Sequence, residues 1–191
     1  MATAAELQSL DNVVTCTTDV TSEADPQRTV ERCASEFGAV DVMVNNAGIT
    51  RDATMPRMPL SDFLAVLNVH LVGAWLGTRT AAITREQQSG SIINISSISG
   101  RIGNIGQANY SSAQAGIVGL TKASAKELAH LGVRVNAIQP GLIRTAMTAG
   151  LSSPVFAHTH EEQSSPLGIW HRVEDEVEPA GFAGELGEVQ T

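Results

Sequence analysis

Cysteine is scarce in this chain, and so are charged side chains, an excess of basic residues and long apolar runs. Two cysteines, Cys16 and Cys33, make no disulfide framework and show no metal-ligand spacing. Both read as reduced thiols of a cytoplasmic protein. A net charge of −8 argues against nucleic acid as a partner. No apolar run approaches the ~18 residues that a membrane span requires. The first ten residues, MATAAELQSL, lack the basic flank and apolar core of a signal peptide. Charged residues make up 17% of the chain, below the usual ~25%, which suits a sheet covered on both faces. The acidic excess is lopsided. Residues 1–150 carry 11 basic and 12 acidic side chains, whereas residues 151–191 carry Arg172 against 8 acids. The sequence therefore divides into one domain with a real core, residues 1–150, and an acidic tail, residues 151–191, expected to be poorly ordered.

What is there is an alternation of short apolar runs and helical patterns, the mark of an α/β fold with a parallel sheet. Residues 12–18 read as a strand. Thr21 is the expected N-cap of a helix that contains Pro26 and runs to about Phe37, with Gly38 as its stop. Residues 39–44 form a second apolar strand that enters Asn45-Asn46-Ala47-Gly48. Pro56 and Pro59 mark a loop, Ser61 is the expected cap of a long helix over about 62–86, and Gly90 ends that unit. Residues 91–95 are the central strand. A second long helix covers 109–131 and Gly132 closes it. Residues 133–138 are a fourth strand, followed by Pro140-Gly141-Leu142-Ile143-Arg144-Thr145.

The stretch 90–116 organises the rest. Its strand ends in Ser96 and Ser97, a loop with Gly100, Gly103 and Gly106 follows, and Tyr110 opens the next helix. This sets a hydroxyl at the carboxyl end of a strand and a phenol thirteen residues later. In open α/β sheets that edge is where ligands bind. Tyr110 is also the only tyrosine in the chain.

These residues resemble the active-site segment of the short-chain dehydrogenase/reductase family, in particular its 3-oxoacyl-acyl-carrier-protein reductases and the related 17β-hydroxysteroid dehydrogenases. The resemblance covers about residues 10–150. It implies a Rossmann-like, doubly wound parallel sheet in three α/β/α layers, here incomplete. It also implies an oxidoreductase using NADP or NAD, with NADPH slightly favoured. Its substrate would be a 3-oxoacyl thioester carried on acyl-carrier protein, or a related small ketone. Fatty acid biosynthesis would be its setting. In the family Asn46, Ala47 and Gly48 line the nucleotide cleft, and Asp19-Val20 corresponds to an Asp-Val pair whose aspartate meets the adenine. The bland reading of Asp19 is a capping carboxylate beside Thr21. Ser97 and Tyr110 match the catalytic serine and tyrosine, Tyr110 as general acid and Ser97 as the group that holds the substrate oxygen. Pro140, Gly141, Ile143 and Thr145 match a PGxxxT segment that faces the nicotinamide. No metal is implied: His158 and His160, in a polar tail, read as solvated.

Two catalytic positions depart from the family. Its Tyr-x-x-x-Lys lysine lowers the tyrosine pKa and holds the nicotinamide ribose, but Gln114 stands there. Glutamine can hydrogen-bond a ribose hydroxyl and carries no charge. Lys122 lies twelve residues away, about 18 Å along a helix, and cannot substitute. Without the cation the rate is expected to fall by roughly two to four orders of magnitude, and a lysine restored at 114 should raise it. His70 occupies the place of an assisting asparagine and can both donate and accept; the alternative is an imidazole satisfied between two helices.

The family's glycine-rich TGxxxGxG turn does not occur, and the first strand found here resembles the family's third. The sheet is therefore expected to lack the first two strands, leaving residues 12–18 without a neighbour or moved across to the next strand. The segment after Ser165-Pro166-Leu167-Gly168 lacks the family's closing pattern. Two further readings follow from these departures. One is a catalytically impaired remnant, or subunit-interaction module, that pairs through helices 62–86 and 109–131. Ala113, Ala115, Gly116, Gly119 and Ala123 would permit close approach, and a homo-oligomer is the expected assembly in either case. The other is an incomplete gene model, which an in-frame TGxxxGxG upstream of Met1 would reveal.

Overall fold

The computed structural model describes residues 12–83 and 89–141 and the backbone of residues 171–172. Three parallel strands, β1 (Val42–Asn45), β2 (Gly90–Ile95) and β3 (Val133–Gln139), lie in that order. A two-residue strand, β4 (His171–Arg172), pairs antiparallel with Ile138 and Gln139. Helix α1 (Ala24–Phe37) precedes β1. A helical stretch then runs as α2 (Leu60–Leu67), a π turn (Asn68–Val72) and α3 (Gly73–Ile83). The short α4 (Ser99–Ile102) and the long α5 (Ala108–Leu128) lie between β2 and β3.

The sheet is two-faced. Met43, Asn45, Ile92, Asn94, Val135, Ala137 and Gln139 point to the side that α3 and α5 cover, and of these Ile92, Asn94, Val135, Ala137 and Gln139 are buried. Ala82, Ala125, Leu128, Ile92 and Val135 form the apolar cluster at its centre. Burying side chains such as Ile92 and Val135 contributes roughly 1.5–3 kcal/mol each. The opposite face carries Val42 and Val44, 55% and 50% exposed. The described residues thus supply the sheet and one helical layer of the doubly wound arrangement.

A polar strut crosses this core. The Asn45 amide donates to Asn94 Oδ1 at 2.8 Å and to Thr78 Oγ1 at 3.2 Å. The Asn94 amide in turn donates to Thr121 Oγ1 at 2.9 Å. Asn94 and Thr121 are fully buried, so each bond ties β1, β2, α3 and α5 together where an unpaired partner would be costly.

Several boundaries differ from those expected. Residues 12–18 form no strand, and Val13 and Val14 are both 37% exposed, because no neighbouring strand is paired with them among the described residues. They have not moved across to β1. Thr21 does not cap α1: its backbone and hydroxyl both donate to Asp19 Oδ1, at 2.9 and 2.7 Å, and the helix starts three residues later at Ala24. Pro26, Phe37 and Gly38 take their expected places, Gly38 with φ of 83°. The second strand is Val42–Asn45 rather than 39–44. Ser61 lies inside α2, whose start is fixed by the Pro59 carbonyl accepting from the amides of Asp62 and Phe63. Leu60–Ala82 is long and apolar enough to cross a membrane by length and composition, contrary to the expectation that nothing here reaches that length. In this fold its Val66, His70 and Leu76 are buried. The described helix ends at Ile83, and residues 84–86 of the expected helix lie outside the described residues. Residues 142–170 and 173–191 lie outside them too, and with them most of the acidic tail.

Candidate functional site

The carboxyl ends of β1, β2 and β3 converge at one edge of the sheet, and three sequence motifs leave from it. Asn46-Ala47-Gly48 follow β1, Ser96-Ser97 follow β2, and Pro140-Gly141 follow β3. Parallel pairing dictates this, since all three strands then present the same end. The exits are tied together. Ser96 N donates to Ile138 O at 2.8 Å, Ile98 N to Pro140 O at 3.1 Å, and the Gln139 side chain to Ser97 O at 3.3 Å. The Ser96 hydroxyl donates to the backbone carbonyl of Gln114 at 2.8 Å, which holds the first turns of α5 over the strand end.

The glycines of the next loop allow this closeness. A Cβ at Gly100 would lie 2.6 Å from Ala115 N, so α4 can rest on α5 only through glycine. Ala53 N donates to Gly106 O at 2.9 Å, and the Gln107 side chain to Asp52 at 3.1 Å, joining the loop after β1 to the loop before α5. Buried Asn109 continues the join: its amide donates to Arg51 O at 2.8 Å and its Oδ1 accepts from Tyr110 N at 2.8 Å.

Tyr110 is thereby delivered beside Ser97, whose side chain acts on the phenol. Burial raises the phenol above its ordinary 10.0; the Ser97 hydrogen bond opposes the rise and the Asp52 carboxylate adds to it. No cation offsets these effects among the described residues. A half-buried phenol of this kind stays protonated through the neutral range.

His70 stands edge-on to Tyr110, ring centroids 5.1 Å apart and planes at 88°. It comes from the π turn, a local widening of the helix that often marks functional sites. Its Nε2 lies 3.0 Å from Ile49 N and 2.8 Å from Ile49 O, and its Nδ1 lies 3.0 Å from Gln114 Nε2. Burial holds the imidazole below its ordinary 6.5, against a smaller upward pull from the Ile49 backbone. Gly48 makes room for this ring: a Cβ there would meet His70 Cε1 at 2.3 Å.

The structure therefore brings Ser97, Tyr110, His70 and Gln114 together, with Gly48, Pro140 and Gly141 on adjoining strand exits. Asn46 and Ala47 are exposed at the mouth of the edge. Asp19 is exposed with its carboxylate engaged by Thr21, while Val20 packs against Gly73, at the end of the π turn. Ile143 and Thr145 lie outside the described residues, as do His158 and His160. Among the described residues no three histidine, cysteine or acidic side chains gather as a metal site would require. Sequence reading missed Ile49 and Asn109, which act through backbone groups and a buried amide, and it missed the π turn, for which no residue pattern stands out.

One atom bears on the dinucleotide that the resemblance implies. Gln114 is 1% exposed, and its Oε1 is buried without a hydrogen-bond partner. An acceptor left open in this way fits a hydroxyl group of a bound ribose.

The comparisons agree with this geometry. The family model described as short chain dehydrogenase matches residues 1–155. An uncharacterized oxidoreductase of Mycobacterium bovis is 51% identical over 172 residues, which is 90% of this chain and 64% of that protein. A 3-oxoacyl-[acyl-carrier-protein] reductase of Synechocystis is 46% identical over 136 residues, 71% of this chain and 55% of that protein. The FabG reductase of Thermotoga maritima is 43% identical over 158 residues, 82% and 63% of the respective chains. This chain thus spans under two thirds of the length of each of these three relatives. With the family model covering most of the sequence, and Ser97 and Tyr110 side by side at the carboxyl edge of a parallel sheet, the chain belongs to the short-chain dehydrogenase family.

Proposed function

We propose that this chain is an NAD(P)H-dependent reductase of 3-oxoacyl thioesters or closely related ketones, with NADPH the favoured cofactor and acyl-carrier-protein thioesters as the substrate form. The observation that carries the reading is the placing of Tyr110 beside Ser97 at the strand ends, in a site whose buried Gln114 Oε1 has no hydrogen-bond partner. Relatives named as 3-oxoacyl-[acyl-carrier-protein] reductases in Synechocystis and Thermotoga maritima support it.

In this reading Gly48, Gln114 and the Pro140-Gly141 turn would hold the nicotinamide end, and the chemistry the cofactor supplies is a hydride. Ser97 would donate a hydrogen bond to the substrate carbonyl oxygen and orient it. Tyr110 would give that oxygen its proton. A phenol raised above 10.0 suits proton donation in the reductive direction and makes a poor base for the reverse reaction at neutral pH. With Gln114 in place of a cation, turnover is expected to be slow by about 10²–10⁴-fold relative to a lysine-bearing site.

The proposed assembly is a homo-oligomer in the cytoplasm, built on the two long helices. Within the chain, Ala113 and Gly116 already face inward: Ala113 is fully buried and a Cβ at Gly116 would meet Leu71 at 2.8 Å. That leaves exposed Ala115, Gly119 and Ala123 as the small residues open to a second copy.

Reduction of acetoacetyl thioesters by the purified chain, followed through NADPH consumption, tests the function. Expected is slow turnover that Tyr110→Phe abolishes and Gln114→Lys accelerates. Turnover insensitive to Tyr110→Phe would sink the reading.

A further inference from the structure

We propose that His70 and Gln114 act as one positioning unit, in which the Gln114 amide N–H is committed to His70 Nδ1 and its carbonyl oxygen is left as a buried acceptor for a hydroxyl of the bound dinucleotide. The second half rests on the reductase reading above; the first half stands on this structure alone.

Three contacts define the unit. Gln114 Nε2 lies 3.0 Å from His70 Nδ1, Ile49 O lies 2.8 Å from His70 Nε2, and Gln114 Oε1 has no partner. An amide donating to Nδ1 requires that nitrogen to be bare, so the imidazole proton sits on Nε2 and goes to the Ile49 carbonyl. The opposite arrangement turns the amide over: Nδ1–H would donate to Gln114, and Nε2 would accept from Ile49 N, which lies at 3.0 Å. That arrangement exchanges an open carbonyl oxygen for an open NH2 group in a residue only 1% exposed. The first arrangement in turn leaves the Ile49 N–H without Nε2 as its acceptor, but Ile49 is only half-buried whereas Gln114 is almost wholly so; an orphaned donor costs more in the deeper position, which favours the first arrangement.

The consequence is a reversal of polarity at position 114. A lysine presents only donors to the ribose. Gln114, with its N–H groups turned to His70, presents an acceptor, and the ribose hydroxyl must become the donor. His70 thus touches neither substrate nor cofactor. It sets which end of Gln114 faces them, and Gly48 sets the place of His70, since any side chain there would strike its ring.

Two measurements test this. The first uses the unaltered chain without ligand: nitrogen chemical shifts of the His70 imidazole at neutral pH. Expected is the neutral ring with its proton on Nε2; a proton on Nδ1 overturns the pairing, whatever the protein's activity. The second is a double-mutant cycle on the dissociation constant for NADPH, with Gln114→Leu, His70→Phe and the double variant, each checked for cooperative melting. Gln114→Leu is expected to weaken binding roughly three- to tenfold, the loss of one hydrogen bond. The double variant is expected to bind no more weakly than Gln114→Leu alone, because the effect of His70 passes through Gln114. Additive losses overturn the unit. Full-strength binding by Gln114→Leu overturns the acceptor role. If the unaltered chain binds no dinucleotide, the reductase reading and the acceptor role fall together, while the imidazole shifts still decide the pairing.

Discussion

Substituting Gly48 by alanine should destabilise the chain through a single collision. The new Cβ would lie 2.3 Å from His70 Cε1, 3.0 Å from Nε2 and 3.1 Å from Nδ1. The ring cannot yield cheaply. It is 6% exposed, held on one side by Ile49 and on the other by Gln114, and backed by Tyr110. Forcing extra volume into such a place costs roughly 1–3 kcal/mol, and each hydrogen bond released when the ring moves costs about 1 kcal/mol more. The sum is roughly 2–4 kcal/mol, or about 5–15 °C in Tm for a chain of this size. Gly119→Ala is the matched control. It lies in the interior of α5 with nothing within 4 Å of its Cβ, so alanine there should stabilise by about 0.5–1 kcal/mol. Thermal melts of the two variants beside the parent decide the matter. A Gly48→Ala chain that melts within a degree of the parent, while Gly119→Ala behaves as stated, would refute the packing of His70 against the β1 exit.

Other consequences can be read with simple instruments. Tyr110 is the sole tyrosine, so the ultraviolet phenolate signal titrates it alone; its midpoint should lie above 10.0, fall in Asp52→Asn and rise in Ser97→Ala. In Gln114→Lys the same midpoint should drop, as the buried ammonium favours the phenolate. His70 is held below 6.5 when folded, so the unfolded chain binds the extra proton first. Stability present above about pH 6.5 should therefore be lost as the pH falls below it, and less steeply in His70→Asn. Asn94→Ala removes a buried amide bonded to Asn45 and Thr121, each of which keeps another hydrogen bond; denaturant melts should show a loss of roughly 1–3 kcal/mol.

Much of this site was legible because periodicity and punctuation agree along the chain. The run ending in Ser96-Ser97 is a strand since its β-branched residues fill a covered sheet, and Tyr110 opens a helix where the glycine loop ends. The resemblance to the short-chain dehydrogenases then pairs Ser97 with Tyr110. The unforeseen parts depend on the third dimension. Thr21 looked like a cap, but Asp19 two residues earlier captures its hydroxyl. Residues 12–18 have strand composition, yet a strand exists only when a neighbour pairs with it. Asn94 sits among isoleucines with no sign that it spans three elements. His70 and Gln114 lie 44 residues apart, and the fold sets Nδ1, on the π turn, 3.0 Å from the amide.

The claim on which the rest depends is that the sheet edge formed by Gly48, Ser97, Gln114 and Pro140 accepts a nicotinamide dinucleotide in this chain. Thermal unfolding with and without NADPH and NADH addresses it directly. The account predicts a cooperative melt that rises with either cofactor in a saturable manner, more with NADPH, since a ligand at about 100 times its Kd adds roughly 2.7 kcal/mol. Melts that superimpose at saturating concentrations of both would contradict it.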